Sequence, residues 1–358
     1  MSSNSFGIAF KLTTFGESHG KAIGGIIEGC PPNLILDLDY INHEIARRKP
    51  SNAFWATPRN EEDVVVWLSG LSNTTTNGAP IAFMIENQNI KKQDYNNLSS
   101  AYRPSHGDFT WESKYNTPPT TGGGRLSARE TLTRVVAGAI AKQWLLKSGI
   151  KITAWTHSIG SISIPGDILI ETQNHELNAL CCPDPQTAEL MENLLRGIVE
   201  KGDSVGGIVR CAIEGLPVGL GEPLFDKTEA LLGHAMLSIP AVKGFEIGSG
   251  FEGTKMTGSC HNDPFIIKDQ KITTSSNHSG GVLGGITNGS NIDFKVAFKP
   301  VSTIKLPQKT IDRNGIETTL EASGRHDACV VPRAVVIVEA MAALVIADLM
   351  LRQKQLEP

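Results

Sequence analysis

Gly122-Gly123-Gly124-Arg125-Leu126-Ser127-Ala128-Arg129-Glu130-Thr131 sets three glycines directly against a helix start. Ser127 and Glu130 have the S-x-x-E spacing of a capping box, which predicts a helix that begins at Ser127 and runs to Lys147. The glycines permit positive φ and a close approach of backbone to a ligand. The first helical turn presents unpaired N–H groups and the positive end of the macrodipole. Arg125 and Arg129 add positive charge where a helix ordinarily prefers acids, so the local conflict calls for an anion. The alternative is a flexible hinge before a surface helix. Neither Walker A nor G-x-G-x-x-G spacing is matched, so a nucleotide-loop reading gains no support.

Outward from this segment, β-branched and apolar runs at Gly24–Glu28, Ile81–Glu86, Gly207–Glu214 and Ile292–Phe298 read as strands punctuated by glycine clusters. Helical patterns cover Tyr40–Arg48, with Asp39 as N-cap, Thr187–Lys201 and Arg333–Gln353. Strands and helices mix without regular alternation, which predicts an α+β fold rather than a doubly wound sheet. One domain over 1–358 is expected. A faint internal echo links Gly24–Gly29 and Pro31 to Gly206–Val209 and Glu214–Pro217, hinting at a pseudo-repeat that a glycine-rich chain can also produce by chance. Asn87–Gly124 is polar and aperiodic but carries five aromatic residues, and reads as an ordered functional loop.

Charge narrows the function classes. Net charge is −4, from 33 basic against 37 acidic residues, so a nucleic-acid partner is not expected and any anion site must be local. The six cysteines show no CxxC pair, which reads as reduced thiols. Met1–Phe10 lacks a signal-peptide pattern, and the expected location is the cytoplasm. The most apolar stretch, Val330–Leu351, contains Pro332, Arg333, Glu339 and Asp348, which predicts a buried helix and no membrane span.

Two histidines sit in glycine-bordered turns: His19 in Gly16–Gly20 and His106 in Arg103-Pro104-Ser105-His106-Gly107-Asp108. Histidine titrates near neutrality and is the usual general acid; taken alone, each reads more readily as a structural or surface residue, and the pair in two glycine-bordered loops favours a site. No metal-ligand spacing is present, so no metal is expected. Gly324-Arg325-His326-Asp327 precedes the last helix, where Arg325 can hold an anion and Asp327 can serve or orient a base. Arg47-Arg48-Lys49-Pro50 reads as a solvated basic face, and Lys299–Thr303 offers a cation and two hydroxyls after a strand. These residues describe an anion pocket rich in arginine, without specifying a reaction.

Seven ordered blocks together resemble the chorismate synthase family: GESHG at Gly16–Gly20, RPSHGD at Arg103–Asp108, GGGRLSARET at Gly122–Thr131, SIPAVKGFEIG at Ser238–Gly248, SGGVLGGITNG at Ser279–Gly289, FKPVST at Phe298–Thr303 and GRHD at Gly324–Asp327. The resemblance covers essentially the whole chain. It implies a β–α–β sandwich with central helices between antiparallel sheets, assembled as a homotetramer. It implies anti-1,4 elimination of phosphate from 5-enolpyruvylshikimate 3-phosphate to give chorismate, using reduced FMN without net redox change. By the same resemblance, His19 protonates the departing phosphate, His106 protonates or stabilises reduced flavin, and Asp327 helps the flavin accept the substrate proton. Flavin contacts map to Arg125, Leu126, Ser127, Pro240, Ala241, Gly284, Lys299, Pro300, Val301, Ser302, Thr303 and Arg325, and substrate anions to Arg48, Arg103, Arg129 and Arg134.

The sequence departs from the family pattern in three places. Leu126 replaces a hydroxyl residue, and RPSHGD replaces RPGHAD. Phe54 stands where an arginine associated with NADPH is common, leaving NADPH an indirect reductant rather than a ligand at that position. The competing readings are an NADPH-dependent flavin reductase and a non-catalytic anion-binding protein.

Overall fold

In the computed structural model, alternation of buried and outward side chains builds two five-stranded antiparallel sheets. The structure describes residues 3–50, 53–56, 61–88, 100–119, 121–166, 178–321 and 327–356. The first sheet contains β1 (Ser5–Phe6), β2 (Lys11–Gly16), β3 (Ala22–Glu28), β4 (Val65–Trp67) and β7 (Ile81–Glu86), ordered β1-β2-β3-β7-β4. Between its last two strands in sequence lies a small hairpin, β5 (Leu71–Ser72) and β6 (Thr75–Thr76). The second sheet contains β8 (Lys151–Ile159), β9 (Ile162–Ser163), β10 (Gly207–Glu214), β11 (Val242–Ile247) and β16 (Ile292–Phe298), ordered β11-β16-β10-β8-β9. Three further hairpins pair β12 (Phe265–Lys268) with β13 (Lys271–Thr274), β14 (Val282–Leu283) with β15 (Ile286–Thr287), and β17 (Gln308–Ile311) with β18 (Glu317–Leu320).

The helices are α1 (Leu38–Arg48), α2 (Asp108–Tyr115), α3 (Thr131–Leu146), α4 (Pro185–Glu200), α5 (Thr228–Leu237), α6 (Gly258–His261) and α7 (Val331–Lys354). Of these, α3 packs on β2 and β3, α7 packs on β8 and β10, and α1, α3 and α5 all pack against α7. The result is the expected α+β arrangement, a helical layer between two antiparallel sheets. Apolar on all sides, α7 is long enough to cross a membrane, yet here it is the buried axis of the molecule. At Gly138 a Cβ would lie 2.4 Å from Ala340 Cα, so α3 and α7 meet backbone to backbone, which only glycine allows.

The two segments of the sequence echo occupy the central strand of each sheet, β3 and β10. Each strand ends in Glu-Gly, at Gly29 and Gly215, with φ of 78° and 77°. Setting aside the short elements, α4 and the edge strand β11, strand–strand–helix–strand–helix occurs twice: β2, β3, α1, β7, α3 and β8, β10, α5, β16, α7. In each half the three strands pair in that same order.

Several boundaries differ from the sequence reading. Asp37, not Asp39, caps α1, its carboxylate accepting from Tyr40 N at 3.0 Å. The capping box at Ser127 and Glu130 is not reciprocal. Ser127 Oγ accepts from Arg129 N at 3.3 Å, and a 3₁₀ turn over Ala128–Glu130 precedes α3. The Ser127 N–H that a reciprocal box would bind donates instead to Gly124 O, so the Glu130 carboxylate is released to pair with Arg134 at 2.8 Å. The segment read as an aperiodic loop contains α2, which buries only Asp108 and so carries no apolar period to read.

Arg47 and Arg48 are not a solvated face. Glu339 of α7 accepts from Arg47 Nη1 and Lys142 Nζ, both at 2.7 Å, and from the backbone N–H of Ala154 on β8 at 2.9 Å. Glu44 accepts from the same Arg47 and Lys142, each at 2.7 Å. Two acids and two bases thus tie α1, α3, α7 and β8 together inside the core. Burial pushes the Glu339 carboxyl up, but Arg47 and Lys142 outweigh it and hold the group well below the usual carboxylate range.

Removing one member of such a buried cluster leaves uncompensated charge, so Glu339→Gln is expected to cost about 3–5 kcal/mol at pH 7, read from urea midpoints. The folded-state pKa is depressed, so this stabilisation is complete above the unfolded value of about 4.3 and is lost as pH falls toward the folded value. The gap between wild type and variant therefore narrows below about pH 4. A gap that is absent at pH 7, or that widens in acid, contradicts this role.

Candidate active site

The glycine turn is the anchor of the site. Gly123 and Gly124 adopt φ of 88° and 50°, in the left-handed region that favours glycine. A Cβ on Gly123 would lie 3.7 Å from His106 Cε1, so the turn runs close beneath the histidine ring. Beyond it, Leu126, Ser127, Ala128 and Thr131 line a cavity of about 410 Å³. Ile239–Ala241, Phe298–Thr303, Asp327, Arg333 and Ile337 complete most of its wall. Lys299 N donates to Ala241 O at 2.9 Å, joining two of these wall segments. Ala241 holds a φ of 71°, a strained conformation for a residue with a Cβ, and such strain is typically retained at functional sites.

His106 is oriented by an ion pair on its own loop. Asp108, buried at the start of α2, accepts from Arg103 Nε and Nη2, each at 2.7 Å. Its Oδ1 also lies 2.8 Å from His106 Nδ1. Burial pushes the Asp108 carboxyl up, but the hydrogen bonds from Arg103 and His106 prevail and hold it far below its ordinary value. An ionised acceptor facing Nδ1 selects the tautomer protonated there and leaves Nε2 available for chemistry. Asp108 stands in the RPSHGD motif but was absent from the predicted site residues; its role depends on a fold-back of the loop that only the structure shows.

The opposite wall is cationic. Arg48, at the end of α1, is buried; its Nε donates to Thr131 Oγ1 at 3.0 Å and its Nη2 to Ala128 O at 2.8 Å. No carboxylate pairs with it among the described residues. Burial, followed by Arg333 beside it, pushes the Arg48 guanidinium down to about 9. Arginine nevertheless keeps its charge at neutral pH, so this wall is relieved by an incoming anion. Lys299 borders the same cavity and donates to Ser105 O at 3.2 Å; its pKa is lowered by burial and by Lys243. Asp327 accepts from Arg333 Nη1 at 2.5 Å. Arg333 was not among the predicted residues, although a cation in the first turn of a helix was the signal already used for Arg129.

Not every predicted residue reaches this cavity. His106, Asp327, Leu126, Ser127, Pro240, Ala241, Lys299–Thr303, Arg48 and Arg103 do. His19 lies across the glycine turn: the neighbouring Ser18 N donates to Gly124 O at 3.4 Å, and Ser18 Oγ is 3.2 Å from His19 Nδ1. Arg125 and Arg134 border a second cavity of about 780 Å³, which shares Leu126 and Pro240 with the first. Arg129 is engaged by the protein's own acids, Glu61 and Asp63, each at 2.9 Å. An anion of the kind its position demands is therefore supplied from within the chain. Its Nε also donates to Asn87 Oδ1 at 2.6 Å, and Asn87 in turn donates to Glu17 O and Gly20 O, so Arg129 braces the His19 turn. Gly284 is exposed at the β14–β15 turn, outside both cavities. Arg325 lies outside the described residues. Phe54 packs edge-on to Trp55, with the Arg196 guanidinium 4.5 Å from its ring centre.

Comparison with known proteins follows this geometry. The family model described as chorismate synthase matches residues 10–351. A chorismate synthase of Flavobacterium psychrophilum is 54% identical over 357 residues, covering 99% of each chain. That of Christiangramia forsetii is 53% identical over 355 residues, again 99% of each chain. That of Bacteroides thetaiotaomicron is 50% identical over 357 residues, 98% of each chain. A crystal structure of chorismate synthase matches with a TM-score of 0.78 at 31% identity, over 97% of this chain and 93% of that one. Since the family match spans both sheets, the helical layer and the cationic cavity at their end, the chain belongs to the chorismate synthase family.

Proposed function

We infer that the chain is a phosphate lyase that converts 5-enolpyruvylshikimate 3-phosphate into chorismate and phosphate by anti-1,4 elimination. The family requires a flavin, which we assign as reduced FMN; NADPH enters only as an indirect reductant. The observation that carries this reading is the buried Arg48 guanidinium, without a carboxylate partner among the described residues, on the same cavity as His106 and Asp327. A substrate bearing a phosphate and two carboxylates is the kind of ligand such a wall receives. A homotetramer in the cytoplasm is the assembly and location we assign.

The residues present fit a flavin. A cavity of about 410 Å³ falls within the range of small-ligand sites, and Leu126, Ile239, Pro240, Ala241, Val301 and Ile337 give it apolar walls for a flat ring. Lys299, Ser302 and Thr303 offer a cation and hydroxyls at one end. Reduced flavin, when bound, supplies the electronic chemistry of the elimination and is not consumed.

The chain's own groups divide the remaining work. In an anti-1,4 elimination, a proton and the phosphate leave from opposite ends of a four-carbon unit and from opposite faces. Arg48 holds one anionic group of the substrate, and the fixed geometry lowers the entropic cost of reaching the reactive pose. His106, with Nδ1–H turned to Asp108, takes up a proton at Nε2 and, as the imidazolium, would donate it to a bound flavin. Asp327 lies on the same cavity and assists removal of the substrate proton. His19 protonates the departing phosphate, which requires that phosphate to lie at the glycine turn rather than against Arg48.

With reduced FMN and substrate under anaerobic conditions, the wild-type protein is expected to release chorismate and phosphate in equal amounts. Steady NADPH consumption without substrate would instead mark a flavin reductase. His106→Ala and Asp327→Ala are each expected to lower turnover by about ten- to ten-thousand-fold. Turnover near wild type in either variant removes that residue from its assigned step.

Arg48→Met keeps much of the side-chain length and removes the charge. It is expected to weaken substrate binding by about ten- to a hundred-fold, the loss of a charged hydrogen bond. Equilibrium titration of substrate into the oxidised-flavin complex measures this directly, and unchanged affinity contradicts an anion-binding role.

A further inference from the structure

Arg333 joins the two ends of the cationic wall. Its Nη1 donates to Asp327 Oδ2 at 2.5 Å, and its Nε donates to the backbone carbonyl of Arg48 at 3.2 Å. One planar guanidinium thus spans the loop that carries the acid and the end of the helix that carries the anion-binding cation. The Arg333 side chain is 21% exposed and the Asp327 side chain 12%, so the pair is only partly screened by solvent. Both residues border the cavity. Arg333 Nη2 meets no acceptor among the described residues.

We propose that Arg333 is the positioning residue for Asp327: it holds that carboxylate against the cavity wall and sets its distance from Arg48. The proposal rests on the lyase reading above and extends it, because it makes the placement of the acid depend on a residue in the first turn of α7. A fork with two donors engaged on different elements fixes both separation and angle, which a single-point ammonium cannot do. The placement also explains why a cation is tolerated in the first turn of α7, where the macrodipole opposes it: Asp327 sits just ahead of that turn.

The test is steady-state kinetics on the full-length protein with reduced FMN and substrate, comparing wild type, Arg333→Ala, Arg333→Lys, Asp327→Ala and the Arg333→Ala/Asp327→Ala double variant. Turnover by wild type comes first; its absence refutes the lyase reading itself and not the role of Arg333. Given that turnover, Arg333→Ala is expected to lower kcat by about ten- to a hundred-fold, the cost of misplacing a reacting group by about an ångström. KM is expected to move much less. The double variant is expected to be no slower than Asp327→Ala, because a residue that acts only through Asp327 has nothing further to lose. Millimolar guanidinium ion is expected to restore part of the Arg333→Ala rate and none of the Asp327→Ala rate.

Should Arg333→Ala fail to fold, Arg333→Lys decides. Its single ammonium reaches Asp327 or the Arg48 carbonyl but not both, so kcat falls while the thermal midpoint stays near wild type. The proposal is overturned by additive losses in the double variant, by an effect confined to KM, by guanidinium rescue of neither variant, or by wild-type kcat in Arg333→Lys.

Discussion

The buried cluster around Glu339 is the constraint from which the site follows. A carboxylate in the middle of an apolar helix is tolerated only when its charge and lone pairs are fully met. Here Arg47, Lys142 and the Ala154 N–H meet them, and those partners come from α1, α3 and β8. Once Arg47 is turned to α7, Arg48 is rotated by about a hundred degrees around the same helix and cannot join the cluster. It faces the start of α3 instead, where Thr131 and Ala128 accept from it. A core requirement thereby delivers an uncompensated cation to the cavity.

The chemistry of the cavity rests on the contrast between paired and unpaired charge. Arg103 and Asp108 neutralise one another and serve to aim His106. Arg129 is neutralised by Glu61 and Asp63 and serves to brace the turn of His19. Of these three, only Arg48 keeps its charge without a carboxylate partner among the described residues. The three arginines share a residue type and a neighbourhood, yet they differ in whether a ligand is needed to complete them. That difference, more than the abundance of arginine, marks where an anion binds.

Strands with clear β-branched composition were readable to the residue, as at Ile81–Glu86, Gly207–Glu214 and Ile292–Phe298, because a buried face imposes a period of two. The last helix was readable because Arg333, Glu339 and Asp348 are incompatible with lipid, and Glu339 and Asp348 do find partners in the core. Asp348 accepts from the backbone of Ile8, Ala9 and Phe10. Helix α2 was not readable because its exposed faces carry no apolar repeat. Within the site, the motif residues were visible, but their partners were not. Nothing local in Arg129 indicates Glu61 and Asp63, which lie 68 and 66 positions earlier in the chain. The basic run at Arg47–Lys49 reads as solvated for the same reason, since the acid that buries Arg47 stands 292 positions away.

The repeated order of strands and helices explains why the cavity lies where it does. In the two halves, α3 and α7 occupy equivalent places, and the starts of both border the cavity through Ala128 and Thr131 on one side and Val330, Arg333 and Ala334 on the other. Their close crossing at Gly138 and Ala340 keeps those two starts near each other. Each start carries an arginine at its first turns, Arg129 and Arg333, and each arginine is matched by acids from an element outside the helix. With the charges of those two arginines so balanced, what remains at the junction is the positive end of two helix dipoles together with Arg48 and, on the facing wall, Lys299. Two equivalent helix ends alone make a weakly positive, symmetric junction. Arg48 from α1, on one side of it, breaks that symmetry and gives a multiply charged ligand a single preferred orientation.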